Sequence, residues 1–553
     1  MAERVDVVIA GSGFGGAIAA YRLAELYRAA GADPRSVVVL ERGRRFGHTD
    51  FKQSMAVENL SKVYDLVQGQ GMQVVTANAV GGGSNLYLAA SLRAPTETFE
   101  RRDHSPGDGP DRRMWPAALS RRSLNPYYAR AEHGLRVRRP SWKQVSKSGG
   151  LWAATLNEAG YTCDRVPVAI SAKRCVNAKW CHTGCVFGAK NSLITNYLAA
   201  AEKRGVQVRT LQELQSVRQS SARPYRFVAT VNSLDPDTKQ ATGSTELECK
   251  VLILATGAMG DAPILMRSAR DLPALSGHVG HHLGSNGDHV AAIEYDPQRV
   301  HDVLGLGRYH AFHKGMPITT MSYDFWAGRR GHEYDGTRFT LQEIFLSTLT
   351  NLLYDDGREP AGDPSWWGVQ KKDAIAHWAS RIELLAMVQD TNDGTFLAAP
   401  PTGGGAVQPN GGPIAFGTFD YVMSDQSLQV REAANAAMAK IAATKGLGRF
   451  MKLTETRGVY CAHPLGGCRM ADSADLGVTD DRGRVFGYEG LHCFGSSIIP
   501  TSLGVNPSLT IAAVAERCAD QLVASAPDFG LPAAPAGFRP GVPEEIVGPR
   551  VIP

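Results

Sequence analysis

Three glycines near the N-terminus have the spacing of a phosphate-binding loop. Gly11, Gly13 and Gly16 lie in GSGFGG, between the apolar run VDVVIA and a segment whose apolar residues recur at helical spacing. In such a loop one glycine permits a tight turn, one lets the backbone approach a pyrophosphate, and one packs the helix closely on the strand. The free amides at the helix N-terminus then meet the phosphates. The spacing therefore predicts a bound dinucleotide.

Two further features narrow the choice of dinucleotide. Glu41 ends a second apolar run, VVVLE at 37–41, where its carboxylate can accept hydrogen bonds from ribose hydroxyls. A second glycine run, VGGGSN at 80–85, marks another place where the backbone comes very close to a neighbour. A nicotinamide dinucleotide does not usually need two such runs, whereas a large flavin does. We therefore expect FAD and redox chemistry.

The elements that position these residues come from distant parts of the chain. The runs at 5–10, 37–41 and 250–255 (KVLILA) are continuously apolar, as in strands buried on both faces of a parallel sheet. Between about 300 and 450 aromatic residues become frequent and FTLQEIF alternates in polarity, which predicts an antiparallel sheet surrounded by helices. The predicted fold class is α/β, with a discontinuous Rossmann-like FAD-binding domain and an α+β substrate domain whose sheet is mostly antiparallel.

The predicted domain boundaries follow this division. We assign 1–45, 70–100, 200–300 and 455–525 to the FAD-binding domain, and 46–69, 101–199 and 301–454 to the substrate-binding domain and its cap segments. Residues 526–553 contain seven prolines. This composition predicts an extended Pro-rich tail with too little apolar surface to fold alone.

Charge and hydropathy exclude several classes of function. The net charge is +5 over 553 residues, and the densest arginine cluster, between 101 and 122, is interrupted by Asp, Gly and Pro. We interpret it as a solvated face and expect no nucleic-acid partner. No apolar run approaches the roughly 18 residues of a membrane span, and no basic segment or long apolar stretch precedes VDVVIA. We therefore expect no membrane span, no signal peptide and a cytoplasmic location.

Three of the nine cysteines are close in sequence. Cys175, Cys181 and Cys185 fall within eleven residues. They could be free thiols, a disulfide with one cysteine left over, or ligands of an iron-sulfur cluster. Tetrahedral zinc would need a fourth ligand, for which His182 is poorly spaced. An iron-sulfur cluster would give electrons a route away from the flavin and favour a dehydrogenase over an oxidase.

Five motifs in order along the chain resemble those of the glucose-methanol-choline (GMC) oxidoreductase family. They are GSGFGG, VGGGSN, ATGAMGDAPILM at 255–266, HPLGGCRM at 463–470, and GSSIIPTSLGVNPSLTIAAVAER at 495–517. Within the family the N-terminal half is most similar to cholesterol oxidase and its bacterial relatives, which also resemble VGHHLGSNGD at 279–288. Where those relatives carry Asp-Gly-Ser near the flavin, this chain has Gly495, Ser496 and Ser497, as other GMC dehydrogenases do.

The resemblance implies three catalytic residues. His463 and Asn506 match the pair that faces the flavin in GMC enzymes, and an imidazole is a suitable base for an alcohol proton. Cholesterol oxidases also use a Glu of the substrate domain to move a ring proton during isomerisation, and Glu343 in FTLQEIF is the best local match. We expect this acid in a half-buried strand, where burial would raise its pKa. An outward-facing structural role for Glu343 is the alternative.

The motifs also imply the residues that contact the cofactor and the activity that follows. The expected reaction is oxidation of a bulky, mostly apolar secondary alcohol such as a 3-hydroxysteroid to a ketone, with or without double-bond isomerisation, and with oxygen or a redox partner as electron acceptor. The alternatives are a GMC dehydrogenase acting on a sugar or another alcohol, a protein like the hydroxynitrile lyases, and a flavin-binding protein without catalysis. The expected FAD contacts are Gly11, Ser12, Gly13, Phe14, Gly15, Gly16, Glu41, Arg42, Gly81, Gly82, Gly83, Ser84, Asn85, Ala255, Thr256, Gly257, Gly495, Ser496, Asn506 and Pro507.

Overall fold

The structure, a computed structural model, describes residues 2–54, 56–103, 112–307, 315–326, 337–345, 377–397, 418–452 and 459–543. The strands are β1 (Glu3–Ala10), β2 (Val37–Glu41), β3 (Tyr64–Gln68), β4 (Met72–Ala77), β5 (Arg102–Asp103), β6 (Arg112–Arg113), β7 (Asp164–Arg165), β8 (Gln207–Thr210), β9 (Gln212–Gln219), β10 (Phe227–Leu234), β11 (Ala241–Leu254), β12 (His281–Leu283), β13 (Asp288–Tyr295), β14 (Ile318–Ser322), β15 (Phe339–Ile344), β16 (Arg381–Val388), β17 (Gly394–Phe396), β18 (Phe419–Asp420), β19 (Gly448–Lys452), β20 (Val459–Cys461) and β21 (Leu491–Cys493). The helices are α1 (Phe14–Ala29), α2 (Val57–Leu60), α3 (Thr96–Phe99), α4 (Arg121–Gly134), α5 (Lys147–Glu158), α6 (Tyr197–Lys203), α7 (Asp261–Ser268), α8 (Pro297–Leu304), α9 (Asp425–Ala443) and α10 (Ser508–Ala524).

The first sheet carries the glycine loop. Its strand order is β8-β2-β1-β11-β10-β9, and β21 adds to β11. The strands β8, β2, β1, β11 and β21 run parallel, whereas β9 and β10 extend the sheet antiparallel. Helix α1 follows β1 through the loop and packs against α6 and α10. The predicted α/β fold, in which one parallel sheet is built from distant segments, is confirmed.

The two faces of the second sheet pack against different parts of the molecule. Its order is β19-β13-β16-β15-β14-β7, and each neighbouring pair is antiparallel. One face, which we call the covered face, packs Leu341 and Leu384 against α5 and α9. The other, which we call the site face, turns Leu385 and Met387 toward the core shared with the first sheet. Because protein packs against both faces of the sheet, all six residues of β15 are buried. The expectation of a half-buried strand is therefore wrong.

Two short three-stranded sheets and a hairpin complete the described structure. Their orders are β20-β4-β3 and β12-β17-β18, and β5 pairs with β6. In the described part of the chain, every helix is too short or too polar to cross a lipid bilayer.

The C-terminal segment is anchored rather than simply extended. A single turn at Ala526–Phe529 buries Phe529, and Leu531 is buried beyond it. Further along, the Gly541 amide donates to Glu25 and its carbonyl accepts from Arg22, so the segment returns to helix α1. Backbone hydrogen bonds thus supply the contacts that the low apolar content does not. Residues 544–553 of the predicted tail lie outside the described residues.

Candidate functional site

The glycines of the loop differ in what surrounds them: Gly11 and Gly16 contact protein, whereas Gly13 adjoins open space. A side chain at Gly11 would overlap Ala255, and one at Gly16 would overlap the Gly11 carbonyl, so both allow close packing of the chain. A Cβ at Gly13, by contrast, would meet no atom within 4 Å. Gly13 also precedes α1, whose first-turn amides have no partners inside the helix. This position has the room and the hydrogen-bond donors that a pyrophosphate needs.

The two glycine runs lie against each other. The Ser12 hydroxyl accepts from the Gly81 amide at 2.9 Å, and a Cβ on Gly82 would reach 2.9 Å from the Cα of Gly13. Asn85 donates to the Val80 carbonyl at 2.6 Å, while its Oδ1 is buried and finds no hydrogen-bond partner within the described ranges. The structure therefore brings the two predicted runs to one place, with an unused acceptor beside them.

Glu41 lies at the end of β2, as predicted, and is buried beneath the glycine loop. One carboxylate oxygen accepts from the Ser12 hydroxyl at 2.5 Å and its amide at 3.1 Å, and the other accepts from the Gly43 amide at 2.8 Å. Burial raises the pKa of Glu41, and these donors counteract part of the rise. Arg42 beside it forms an ion pair with Asp65 at 2.8 Å. Oε2 thus already accepts two hydrogen bonds, whereas Oε1 keeps one lone pair for a further donor, such as a ribose hydroxyl.

The segments around Ala255 and Gly495 also meet. The Ser496 hydroxyl accepts from the Ala258 amide at 2.9 Å, two residues beyond Thr256. Asp261 joins the segments, because it accepts from the Thr256 hydroxyl at 2.6 Å and from the Ser497 hydroxyl at 2.5 Å. Burial raises the pKa of Asp261 to about 6 despite these donors. Gly495 is buried, yet a Cβ there would meet nothing within 4 Å, so open space adjoins it.

His463 and Asn506, the predicted catalytic pair, are adjacent. The His463 Nδ1 lies 2.6 Å from the Asp288 carboxylate, which also accepts from the Ala462 amide at 2.8 Å. The His463 Nε2 lies 3.4 Å from the Asn506 Nδ2. Because the carboxylate accepts the Nδ1 proton, Nε2 is the bare nitrogen and can take a proton from a substrate. The Asn506 Oδ1 is buried and has no hydrogen-bond partner among the residues that the structure describes.

The segment 286–288 positions both His463 and Asn506. Asn286 donates to the Val505 carbonyl at 3.0 Å and accepts from the Leu503 amide at 2.7 Å, which fixes the loop that leads into Asn506. Two residues later Asp288 begins β13 and holds His463. Gly504 in this loop has a φ of +68°, and its Cα lies so close to the Trp326 ring that a side chain would overlap it. The loop is thus clamped from two sides.

Glu343 is not brought together with this pair. Successive side chains of a strand alternate between faces, so Glu343 shares the covered face with Leu341, whereas Thr340 lies on the site face and donates to the Gly504 carbonyl at 2.7 Å. Glu343 accepts from Ser148, from Thr319 at 3.2 Å and from Ser146 at 3.3 Å. Burial raises its pKa, and the Lys179 ammonium opposes the rise. This is a buried polar network at the N-terminus of α5.

The cysteine loop has its own anchor. Lys190 is buried and donates to the carbonyls of Asn85 at 2.6 Å, Tyr87 at 2.8 Å and Cys181 at 2.5 Å. It therefore ties this loop to the second glycine run. Burial lowers the pKa of Lys190 to about 8. Cys175, Cys181 and Cys185 are free thiols, and within the described ranges no group of three or more His, Cys, Asp or Glu side chains is arranged to hold a metal ion.

Sequence reasoning missed three residues that organise the site. Asn286 and Asp288 lie in VGHHLGSNGD, and Asp261 lies in ATGAMGDAPILM, so each belongs to a motif already singled out. Nothing in the local spacing, however, joins Asp288 to a histidine 175 residues away. An acid directly after a glycine turn in a motif of this kind is the signal that could have drawn attention to it.

The described residues fit FAD. Open space lies beside Gly13 and the buried Gly495, donors are available at the start of α1, and the Oδ1 atoms of Asn85 and Asn506 are acceptors without a partner in the described part of the chain. Bound FAD would supply the hydride acceptor for an alcohol oxidation. That the individual residues contact the cofactor stays a prediction.

Comparisons with known proteins agree with this site. Two family models, each described as GMC oxidoreductase, match residues 6–286 and 406–515. A cholesterol oxidase of Mycobacterium tuberculosis is 26% identical over 93% of this chain and 90% of its own length. A cholesterol oxidase of Acinetobacter baumannii is 23% identical over 93% of each.

The fold has counterparts among solved structures. An FAD-dependent oxidoreductase from Chaetomium thermophilum superposes with a TM-score of 0.61 at 15% identity, over 95% of this chain and 100% of its own. At that identity the likeness concerns the fold. The family match, the relatives and the dinucleotide site together support one conclusion: the chain belongs to the GMC oxidoreductase family and is an FAD-dependent alcohol oxidoreductase.

Proposed function

We propose that the protein oxidises a bulky, mostly apolar secondary alcohol of the 3-hydroxysteroid class to the ketone. The observation that carries the proposal is the hydrogen-bonded series of Asp288, His463 and Asn506, with distances of 2.6 and 3.4 Å. This arrangement places an oriented base, His463, next to an amide donor, Asn506. The names of the relatives, cholesterol oxidases at 23–26% identity, favour a steroid alcohol.

The proton of the alcohol goes to His463. Its Nε2 accepts the hydroxyl proton as the carbinol hydride leaves, and Asp288 stabilises the imidazolium that forms. The Asn506 Nδ2 donates to the substrate oxygen and orients the carbinol. FAD, when bound, would supply the acceptor for the hydride. The alcohol thus loses one proton to the protein and one hydride to the cofactor, which leaves a ketone.

The site face of the second sheet supports a bulky apolar substrate. Met321, Ile344, Leu385 and Met387 lie on this face and are buried. Asp288, which holds His463, begins a strand of the same sheet, two strands away from β15. Apolar walls with a few polar groups at one end are typical of pockets for hydrophobic small molecules.

We propose that the reaction stops at the ketone. Isomerisation would need a second carboxylate near the substrate, and Glu343 lies on the covered face among Ser146, Ser148 and Thr319. A Δ5-3-hydroxysteroid would then be released as the unconjugated ketone. Absence of new absorbance from a conjugated enone during turnover would agree with this, whereas rapid enone formation would contradict it.

Oxygen is the proposed electron acceptor, since the named relatives are oxidases. We assign Cys175, Cys181 and Cys185 no part in electron transfer: all three are free thiols, the Cys175 sulfur lies near the Asn177 side chain, and the Cys185 sulfur accepts from the Ala189 amide at 3.3 Å. We also propose that FAD is held by the two glycine runs, Glu41, and the segments at 255–257 and 495–507, with the domain division predicted from the sequence.

Anaerobic mixing tests the proposal. The holoenzyme would be mixed separately with a 3β-hydroxysteroid, a long-chain primary alcohol and an aldose, and flavin absorbance followed. We expect the steroid to bleach the flavin fastest and readmitted oxygen to restore it with release of hydrogen peroxide. Bleaching by the aldose alone would contradict the steroid class, and cyanide release from a cyanohydrin with the flavin still oxidised would favour a lyase.

A further inference from the structure

Gln342 is a buried carboxamide without a protein partner. Its side chain is 0% exposed, and among the described residues neither its Nε2 nor its Oε1 has a hydrogen-bond partner. Removing an amide from water without replacing its hydrogen bonds is unfavourable, so such groups usually meet a ligand or an ordered water. Gln342 therefore marks a place where the described part of the chain supplies no polar partner.

The Gln342 side chain lies on the face of the sheet that also carries Asp288. Alternation along β15 puts Gln342 on the site face with Thr340, which donates to the Gly504 carbonyl, and opposite to Glu343. Its neighbours across the sheet are Met321 on β14 and Leu385 on β16. Gln342 is thus a polar group set in an apolar wall.

The strand register gives the distance from Gln342 to Asp288, the residue that holds His463. Gln342 pairs with Leu385, Leu385 pairs with Val290, and Asp288 lies two residues before Val290. With strands about 4.8 Å apart and a rise of about 3.4 Å per residue, the Cα atoms of Gln342 and Asp288 are about 12 Å apart. A substrate whose carbinol meets His463 would present the opposite end of a fused-ring skeleton to Gln342.

We infer that Gln342 binds a second oxygen of the substrate, remote from the carbinol. The amide can donate to a ketone or both donate to and accept from a hydroxyl. The preferred substrate is therefore a bifunctional alcohol, such as a 3-hydroxysteroid with an oxygen on the far ring, rather than one with a purely hydrocarbon far end. This inference rests on the proposed alcohol oxidation and adds the substrate class to it.

Two steroids and two variants test the inference. The probes are a 3β-hydroxysteroid with a 17-ketone and its 17-deoxy counterpart. Gln342→Leu removes the amide at similar volume, and Leu385→Met changes packing at the neighbouring position of the same face without touching a polar group. Anaerobic flavin reduction gives the rate and the apparent affinity for each probe. Binding of the two corresponding 3-ketones to the oxidised holoenzyme, followed by the flavin difference spectrum, gives affinities independent of turnover.

We expect wild type to favour the 17-ketone by at least about tenfold in affinity, since an amide without a partner discriminates against the deoxy compound. Gln342→Leu should reduce this preference to within about threefold and raise the melting temperature of the ligand-free holoenzyme, because the unsatisfied amide is gone. Leu385→Met should keep the preference. Equal binding of both probes by wild type, or a preference retained in Gln342→Leu, would overturn the inference, and a lower melting temperature of that variant would assign the amide to a structural water.

The outcomes also separate this inference from the proposed function. Flavin reduction without discrimination leaves alcohol oxidation intact and rejects the role of Gln342. Selective binding of the 17-oxygenated ketone without flavin reduction by either alcohol supports Gln342 and rejects steroid oxidation. Neither binding nor reduction rejects both.

Discussion

Asp288 and Glu343 lie in the same antiparallel sheet, yet their surroundings differ. Asp288 holds His463 on the site face, whereas Glu343 is enclosed on the covered face by Ser146, Ser148 and Thr319. Both are buried carboxyl groups in apolar strands. Because side chains alternate along a strand, a step of one residue decides which of the two environments an acid enters. Burial and acidity alone therefore do not identify a catalytic acid.

The largest effect is expected at His463, the base on the site face. His463→Gln should lower the rate constant of anaerobic flavin reduction about 10³-fold, because the alcohol proton loses its acceptor. FAD content, measured by absorbance, should be unchanged. A variant that reduces its flavin at nearly the wild-type rate would remove His463 from the mechanism.

A smaller effect is expected one hydrogen bond away. Asp288→Asn should slow flavin reduction about 10²-fold, because an amide does not fix the Nδ1 proton or stabilise the imidazolium. Its visible spectrum and substrate affinity should resemble those of wild type. An equal loss of affinity and rate would indicate instead that the pocket has collapsed.

The distinction between site-facing and protein-facing positions also applies to the glycine loop. Gly13 has a φ of −69°, which suits alanine, and a Cβ there would enter open space. Gly13→Ala should therefore leave the melting temperature of the apoprotein unchanged. It should weaken FAD binding about tenfold or more, because the added methyl group obstructs the pyrophosphate. Gly16→Ala should lower that temperature, because its Cβ overlaps the Gly11 carbonyl. Titration with FAD and thermal melts of the apoprotein measure both effects. The reverse pattern would contradict the assignment of Gly13 to the cofactor.

Asp261 provides the smallest expected effect, on stability. Its folded pKa of about 6 lies above the unfolded value of 3.8, so its stabilising contribution is complete below the unfolded value and is lost as pH rises through about 6. The loss amounts to roughly 3 kcal/mol. Asp261→Asn mimics the protonated acid. About 1.4 kcal/mol of the loss falls between pH 5 and pH 8, so the melting temperature of the variant relative to wild type should rise by about one degree over that interval. A pH-independent difference would show that the carboxyl titrates normally.

The elements of the fold that depend on a local sequence pattern could be predicted from the sequence. The strands at 5–10 and 37–41, the glycine loop and the helix that follows it are predicted from apolar runs, helical spacing and glycine spacing. The pairing of His463 with Asn506 came from a family resemblance, not from spacing. Their approach to 3.4 Å depends on Asn286, whose hydrogen bonds span more than 200 residues, so no window of the sequence contains it.

The placement of Glu343 could not be predicted for a related reason. Alternation in FTLQEIF separates two sets of side chains, but helices α5 and α9 bury one face and the site core buries the other. When both faces are buried, polarity no longer tells which face meets the ligand. A simple inside-outside pattern would bury the apolar Leu341 and expose the polar Gln342. Both are buried instead, Leu341 on the covered face and Gln342 on the site face.

The most direct test compares the two carboxylates in one measurement. The rate constant of anaerobic flavin reduction by the best alcohol substrate would be determined for Asp288→Asn and Glu343→Gln under the same conditions. We predict that Glu343→Gln stays within about threefold of wild type, because it shares no partner with His463, and reacts roughly 30-fold or more faster than Asp288→Asn. A Glu343→Gln variant as slow as Asp288→Asn, or slower, would contradict the assignment of catalysis to the site face.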